Sequence, residues 1–320
     1  MIDILSLIIV VFGLTLFEII TSIDNAIINA DVLRTITPTY RKWFLFWGIL
    51  IGVFVVRGLL PWLIVWGTNP GLGPLGALFA SFSADESVKL AVESSAPLLL
   101  MGGGVYLLFL FLHWWFVEPK EYGLIGEKFI HKQAVWFFAV VSILLTYIVW
   151  YSLKLNPLIA FSAVIGSTAF FITHGFKVNA EEQEKNLTKK TLSDFSKIMF
   201  LMVIDATFSI DSVLGAFAFT LSVPLIFLGN GVGAIIVQRL TVAGVDKIKD
   251  YIYLKNGAMY SIFFLGIIMV YDAFGGHIAE WISPVVTFII VGLFFWKSHL
   301  HIKRNSLLNK VEDVLDGPGQ

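Results

Sequence analysis

Residues 4–28 read ILSLIIVVFGLTLFEIITSIDNAII, an apolar run long enough to cross a bilayer that nevertheless carries two carboxylates, Glu18 and Asp24. A hydrocarbon core about 30 Å thick is spanned by about 20 apolar residues of helix. An acid near the centre of such a helix costs roughly 2.5–3.5 kcal/mol, so acids are rare there and mark functional positions. No Lys or Arg precedes the run, and a cleavable signal would be uniformly apolar, so it reads as a retained first helix.

Further runs of this kind recur near 44–66, 97–117, 134–152, 157–176, 198–220, 223–243, 257–273 and 281–297. With 57% hydrophobic and 14% charged residues and a mean hydropathy of +0.83, the chain cannot build a water-soluble surface. The expected fold is an all-α polytopic membrane protein of about nine transmembrane helices in one domain over residues 1–300. The segment 177–197 is expected as a cytoplasmic loop and 301–320 as a frayed cytoplasmic tail. The stretch 67–96, with Asn69-Pro70-Gly71, is expected as the longest external loop, open to a re-entrant or surface-lying piece.

Nine spans force the loops to alternate sides, and Lys and Arg in short loops favour the cytoplasm. Placing the N-terminus outside and the C-terminus inside puts nineteen of the 22 basic residues on the cytoplasmic side. Only Lys89 and Lys154 fall outside, and Arg57 lies within a helix. The basic residues are spread over short loops and form no block, so nothing points to nucleic acid. The absence of cysteine removes disulfides, thiolate metal sites and thiol catalysis, leaving oxygen and imidazole as ligands.

The motif in the first run recurs. Glu18-Ile19-Ile20-Thr21-Ser22-Ile23-Asp24-Asn25 and Asp205-Ala206-Thr207-Phe208-Ser209-Ile210-Asp211-Ser212 both read acid, three residues, Ser-Ile-Asp, small polar residue, at an offset of 187. The second copy lies five spans after the first, so the copies run antiparallel, which predicts an inverted repeat of helices 1–3 (about 4–117) and 6–8 (about 198–273). Gly48 and Gly52 echo Gly229 and Gly233, and Arg57 falls opposite Gln238, one place before Arg239.

At about 100° per residue, Glu18, Ser22, Asn25 and Asn29 share one stripe while Asp24 lies about 120° away; Asp205, Ser209 and Ser212 align likewise with Asp211 displaced. Either the first helix lines a broad wet cavity, or it unwinds around Ser22-Ile23-Asp24 and frees carbonyls as ligands. Antiparallel packing is expected to bring the four acids together, with Glu18 and Asp211 close to mid-depth. Against Arg57 and Arg239 they leave a formal charge of −2, which one divalent cation or two protons would neutralise. Carboxylate, amide and hydroxyl oxygens suit Mg, Ca or Mn. Geometry is not written in the sequence, so the ion stays open at this point.

At these residues the chain resembles the TerC family and its close relative DUF475, within the LysE-like group of membrane transporters. The resemblance implies metal-ion export or homeostasis, manganese above all, in a bacterial plasma (inner) membrane, with a link to tellurite resistance. Carried over by position, it implies an ion-binding set of Glu18, Asp24, Asn25, Asp205, Asp211 and Ser212, supported by Ser22, Ser209, Arg57 and Arg239. The cation would be substrate and not a resident cofactor, with protons as a coupling partner. Two features depart from the family pattern: the number of spans is larger, and the lysine-rich loop 177–197 is short.

Blander readings stand beside these. Glu18 and Asp24 could pair with Arg57 simply to hold helices together, although two arginines cannot satisfy four acids. His174 and Asn29 are weak candidates, the histidine fitting a backbone-bonded interfacial position better than a gate. The chain is not expected to be an enzyme: an intramembrane aspartyl protease would use facing aspartates, and Tyr271-Asp272 matches half of one signature, but the partner Gly-x-Gly-Asp is missing. A scaffold that loads metal or gathers a stress-response complex is the third reading.

Overall fold

The apolar run that opens the chain becomes α1 (Ile4–Thr21), whose 18 residues rise about 27 Å. The computed structural model describes residues 4–49, 51, 57–80, 86–119, 123–131, 133–187, 193–243 and 250–315. After α1 come α2 (Ile23–Arg34), α3 (Pro38–Ile49), α4 (Arg57–Thr68), a short 3₁₀ turn at Pro70–Leu72 and α5 (Gly73–Ala80). Then follow α6 (Glu86–Phe116), α7 (Ile125–His131), a second 3₁₀ turn at Ala134–Trp136, α8 (Phe137–Leu155) and α9 (Pro157–Leu187). The last four are α10 (Asp194–Ala216), α11 (Val223–Ala243), α12 (Leu254–Ala273) and α13 (Ile282–Leu315). No strand occurs among the described residues. In hydrocarbon every backbone group must be satisfied within its own segment, which is why a chain of this composition is helical throughout.

Eight helices among the described residues are long and apolar enough to cross a membrane, carried by α1, α6 and α8–α13. The protein is a polytopic all-α membrane protein. The ninth expected span, 44–66, is described as α3 and α4, each of twelve residues, with residues 50 and 52–56 outside the described residues. Three boundaries also shift. Helix α6 starts at Glu86 and carries Pro97 inside it, so much of the expected 67–96 loop is helical. Helix α9 runs on to Leu187, which makes the first part of the expected loop 177–197 helix. Helix α13 continues to Leu315, so the expected frayed tail is helical to that point. Apolar content marks where a helix is lipid-soluble and is blind to where it continues into water.

Of the two arrangements open to the first helix, a broad cavity or an unwound turn, the unwound turn is not seen: the helix breaks at one residue and keeps its hydrogen bonds. Only Ser22 leaves the α-helical assignment, at φ −93° and ψ 0°. Ser22 N still donates to the Glu18 carbonyl at 3.0 Å, and Ala26 N to the Ser22 carbonyl at 2.9 Å, so those two carbonyls are not freed as ligands. The second motif copy lies in unbroken α10.

Small residues set the packing, as in other membrane bundles where backbones approach closely. Helix α9 crosses α6 so tightly that a Cβ on Gly166 would lie 2.1 Å from the Gly102 carbonyl oxygen. Helix α1 lies on α11, with Thr15 Oγ1 donating to the Val11 carbonyl at 2.8 Å and to the Gly229 carbonyl at 3.2 Å. Helix α10 packs in turn on α3 and α4, and α6 on α12. The centre is aromatic, with Phe17, Tyr106, Phe109, Phe137 and Phe170 buried, whereas α8 turns Phe138, Ile143, Tyr147 and Trp150 outward, where lipid is the solvent.

One end of the bundle fixes the direction of the two motif copies. Thr37 donates to Asp194 Oδ2 from its backbone N (3.1 Å) and its hydroxyl (2.6 Å), and Lys197 Nζ donates to Thr35 Oγ1 at 2.9 Å. Ser193 caps α10 by accepting from Ser196 N at 3.2 Å. Helix α2 therefore ends where α10 begins, and the copies run in opposite directions.

Candidate functional site: two charged centres on α10

Glu18 is fully buried on α1, with its Cβ and Cγ against Gly233 of α11. Its Oε1 accepts from Arg57 Nη2 at 2.6 Å and from Ser22 Oγ at 2.7 Å. Arg57, the first residue of α4 and itself buried, reaches Asp205 Oδ2 with Nη1 at 3.9 Å. One guanidinium thus ties the first acid of one motif copy to the first acid of the other. Two carboxylates and one guanidinium leave a formal charge of −1 on the three residues. No described residue partners Glu18 Oε2, although that atom is buried.

Beside this bridge lies a cavity of about 40 Å³, enough for about three water molecules or one largely dehydrated ion. Its polar lining is Ser22, Asn29, Arg57, Asp205, Gln238 and Thr241; Phe44, Met202 and Val237 contribute apolar wall. Asn29, a weak candidate from the sequence, is buried here with Oδ1 unpartnered among the described residues. Gln238 Nε2 donates to the Phe44 carbonyl at 3.3 Å, and Thr241 Oγ1 to the Val237 carbonyl at 2.9 Å.

Asp211 does not line this cavity. Buried on α10, it accepts at Oδ1 from Tyr106 of α6 at 2.5 Å and at Oδ2 from Lys177 of α9. Thr173 Oγ1 lies 2.9 Å from the Tyr106 hydroxyl. Asp211 also borders a second cavity, of about 30 Å³, walled by Ile20, Thr21 and Ile23 at the α1–α2 kink and by Lys255, Met259 and Ile262 of α12. Lys255 forms an ion pair with Glu118.

Of the four acids expected to converge, the three with described side chains fall into two centres, Glu18 with Asp205 and Asp211 apart from them. The reason is angular. Six residues on an unbroken helix turn the second acid about 120° from the first, so Asp205 and Asp211 leave α10 in different directions. Asp205 meets Arg57, and Asp211 meets α6 and α9. The side chains of Asp24 and Asn25 lie outside the described residues. Among the described residues, no three His, Cys, Asp or Glu side chains gather into a metal cluster.

Other expected members fall out of place. Arg239 is exposed, and its neighbour Gln238, which falls opposite Arg57 in the sequence alignment of the two halves, lines the cavity instead. Ser209 and Ser212 are buried, but their hydroxyls donate to helix carbonyls, of Asp205 at 2.6 Å and of Ser209 at 3.0 Å. Asn230 Nδ2 donates to the Ser212 carbonyl at 3.4 Å and leaves Oδ1 unpartnered among the described residues. His174 lines neither cavity; its ring centre lies 3.9 Å from that of His113, and it stacks on Phe170.

The sequence reading missed Lys177 and Tyr106. Lys177 sits one residue past the apolar run ending at 176 and was assigned to a loop, while Tyr106 is one hydroxyl in an otherwise apolar span. Gln238 did carry a signal: it lies 181 residues after Arg57, the offset that also relates Gly48 to Gly229 and Gly52 to Gly233. The pairing of Glu18 with Arg57 that a purely structural role requires is present.

No curated protein and no solved structure matches this chain. The family model described as Protein of unknown function (DUF475) matches residues 23–305, from the α1–α2 kink through α13 to the end of its apolar part, and includes both charged centres apart from Glu18. The chain belongs to the DUF475 family.

Proposed function

We propose that this protein transports a hard divalent cation, manganese foremost, through the cavity beside the Glu18–Arg57–Asp205 bridge. The observation that carries the reading is the bridge itself: two acids from antiparallel motif copies share one tethered cation next to an oxygen-lined cavity. A dication entering the cavity would meet the carboxylate of Asp205, the unpartnered Oδ1 of Asn29, and the oxygens of Ser22 and Gln238, with Glu18 behind them on Ser22 and Arg57. That is an oxygen-only ligand set, suited to Mn, Ca or Mg and poorly suited to soft metals. Arg57 acts here as the resident positive charge that keeps the empty site from holding two uncompensated acids. Manganese in particular, and export over import, rest on the likeness to TerC proteins and LysE-like transporters.

With α3 and α4 counted together as a ninth crossing, the distribution of Lys and Arg supports an N-terminus outside and a C-terminus inside; residence in a bacterial inner membrane, with protons or the ion's own gradient as driving force, rests on the likeness to TerC proteins. The test is Mn²⁺ flux into proteoliposomes. Glu18→Gln and Asp205→Asn should each lower the rate at least tenfold, while Asp31→Asn, at an exposed position paired with Arg34, should not. Wild-type rates in both bridge variants would remove the proposal. The scaffold reading predicts no flux from the wild type at all. The protease reading predicts instead that purified protein cleaves a membrane peptide and that Asp24→Asn abolishes the cleavage.

A further inference from the structure

Asp211 and Lys177 form a second buried ion pair that the cavity beside Arg57 does not use. Three observations bear on its role. First, Asp211 is held by two donors, the Tyr106 hydroxyl and the Lys177 ammonium, yet it also borders the cavity of about 30 Å³ on the far side of the α1–α2 kink. Thr21 and Ile23 face that cavity, whereas Ser22 between them faces the first. The helix break at Ser22 therefore lies between two small cavities: Asp205 and Arg57 line the first, while Asp211 and Lys255 line the second, whose remaining wall apart from Thr21 is apolar. Second, that room suffices for about two waters or one stripped ion. Third, Lys177 lies two residues inside the end of its apolar span at Asn179. A lysine has a flexible four-carbon stem, and near a helix end it can carry its ammonium out to the interface without stranding a charge in hydrocarbon. Arg57, at the buried start of α4, has no such exit.

From this arrangement we infer that Lys177 is a displaceable counter-cation: the transported dication, after passing the Ser22 kink, occupies Asp211 and drives the Lys177 ammonium off it. The inference rests on the transport reading and deepens it, adding Asp211 as a second station and Lys177 as the residue that sets how tightly that station holds its ion. Lys177 is in this sense a specificity-determining residue and not a ligand. A tether with a purely structural task would stay on Asp211 whether or not an ion is present.

Two measurements on the full chain in detergent separate these outcomes, with Mn²⁺ as the probe. In the wild type, saturating Mn²⁺ should raise the rate at which an amine-reactive acylating reagent modifies Lys177 at least threefold, read by peptide mass spectrometry. Lys197, bonded to Thr35, should show no change and serves as the internal reference. In Lys177→Met, loss of the competing ammonium should tighten Mn²⁺ binding at least tenfold, read from the disappearance of the free-ion resonance signal. The double variant Lys177→Met/Asp211→Asn should lose that gain. If Lys177→Met does not fold, the acylation result on the wild type decides alone. Unchanged Lys177 labelling in a protein whose Mn²⁺ flux is abolished by Glu18→Gln overturns the Lys177 inference and leaves transport standing. Absence of wild-type flux overturns both.

Discussion

Arg57 Nη2 donates to Glu18 Oε1 at 2.6 Å, across 39 residues of chain, with both side chains shut away from solvent. A buried charge left without its partner is costly, typically about 3–5 kcal/mol. Arg57→Met should therefore lower stability by about that amount in the absence of metal, read by thermal melting in detergent. If Arg57 stands in for an absent cation, Mn²⁺ should restore part of the lost melting temperature in Arg57→Met and shift the wild type less. Equal shifts in both proteins would mean that the metal does not share a site with Arg57.

Gly233 sets the position of Glu18. A Cβ at 233 would come within 2.6 Å of Glu18 Cβ and 2.7 Å of Cγ, too close for any real contact. Gly233→Ala should cost about 1–3 kcal/mol by overpacking and should reduce Mn²⁺ flux by moving the carboxylate. Gly292→Ala, where nothing lies within 4 Å, should leave melting and flux as they are.

The contact of Gly166 with the Gly102 carbonyl has backbone on both sides and cannot relax by turning a side chain. Gly166→Leu should accordingly be the most damaging of the glycine variants. Recovery of folded protein by size-exclusion chromatography is the measurement, and near-normal yield would contradict the close crossing of α6 and α9.

Tyr106 tests the second centre without touching a charge. Tyr106→Phe removes the hydroxyl that donates to Asp211 and leaves a buried carboxylate oxygen without that donor. A loss of about 1–3 kcal/mol is expected from the melting curve.

Glu127 provides a structural contrast. It is buried, and its Oε2 accepts from Leu124 N and Asn256 Nδ2, each at 2.8 Å, tying the short α7 to α12 away from either cavity. Glu127→Ala should destabilise by about 1–3 kcal/mol through the donors it abandons. Flux per folded molecule should match wild type. A selective loss of flux at unchanged stability would instead give Glu127 a part in transport.

The sequence by itself determined the membrane class, nearly every span, and the duplicated acid motif with its antiparallel sense. These follow from local properties: the apolar length a bilayer demands, and the spacing of rare acids along single helices. It also held, in the 100° step, the fact that Asp205 and Asp211 leave α10 about 120° apart. Only the tertiary structure decided which cation each acid meets. Placing Arg57 between Glu18 and Asp205, and Lys177 with Tyr106 on Asp211, depends on the rotation and depth of helices far apart in the chain. Those are set by close contacts such as Gly233 on Glu18 and Gly166 on Gly102, which no hydropathy window senses. The single carboxylate-lined site expected from the duplicated motif is thus, among the described residues, two centres on two faces of one helix, with the helix break at Ser22 between their cavities.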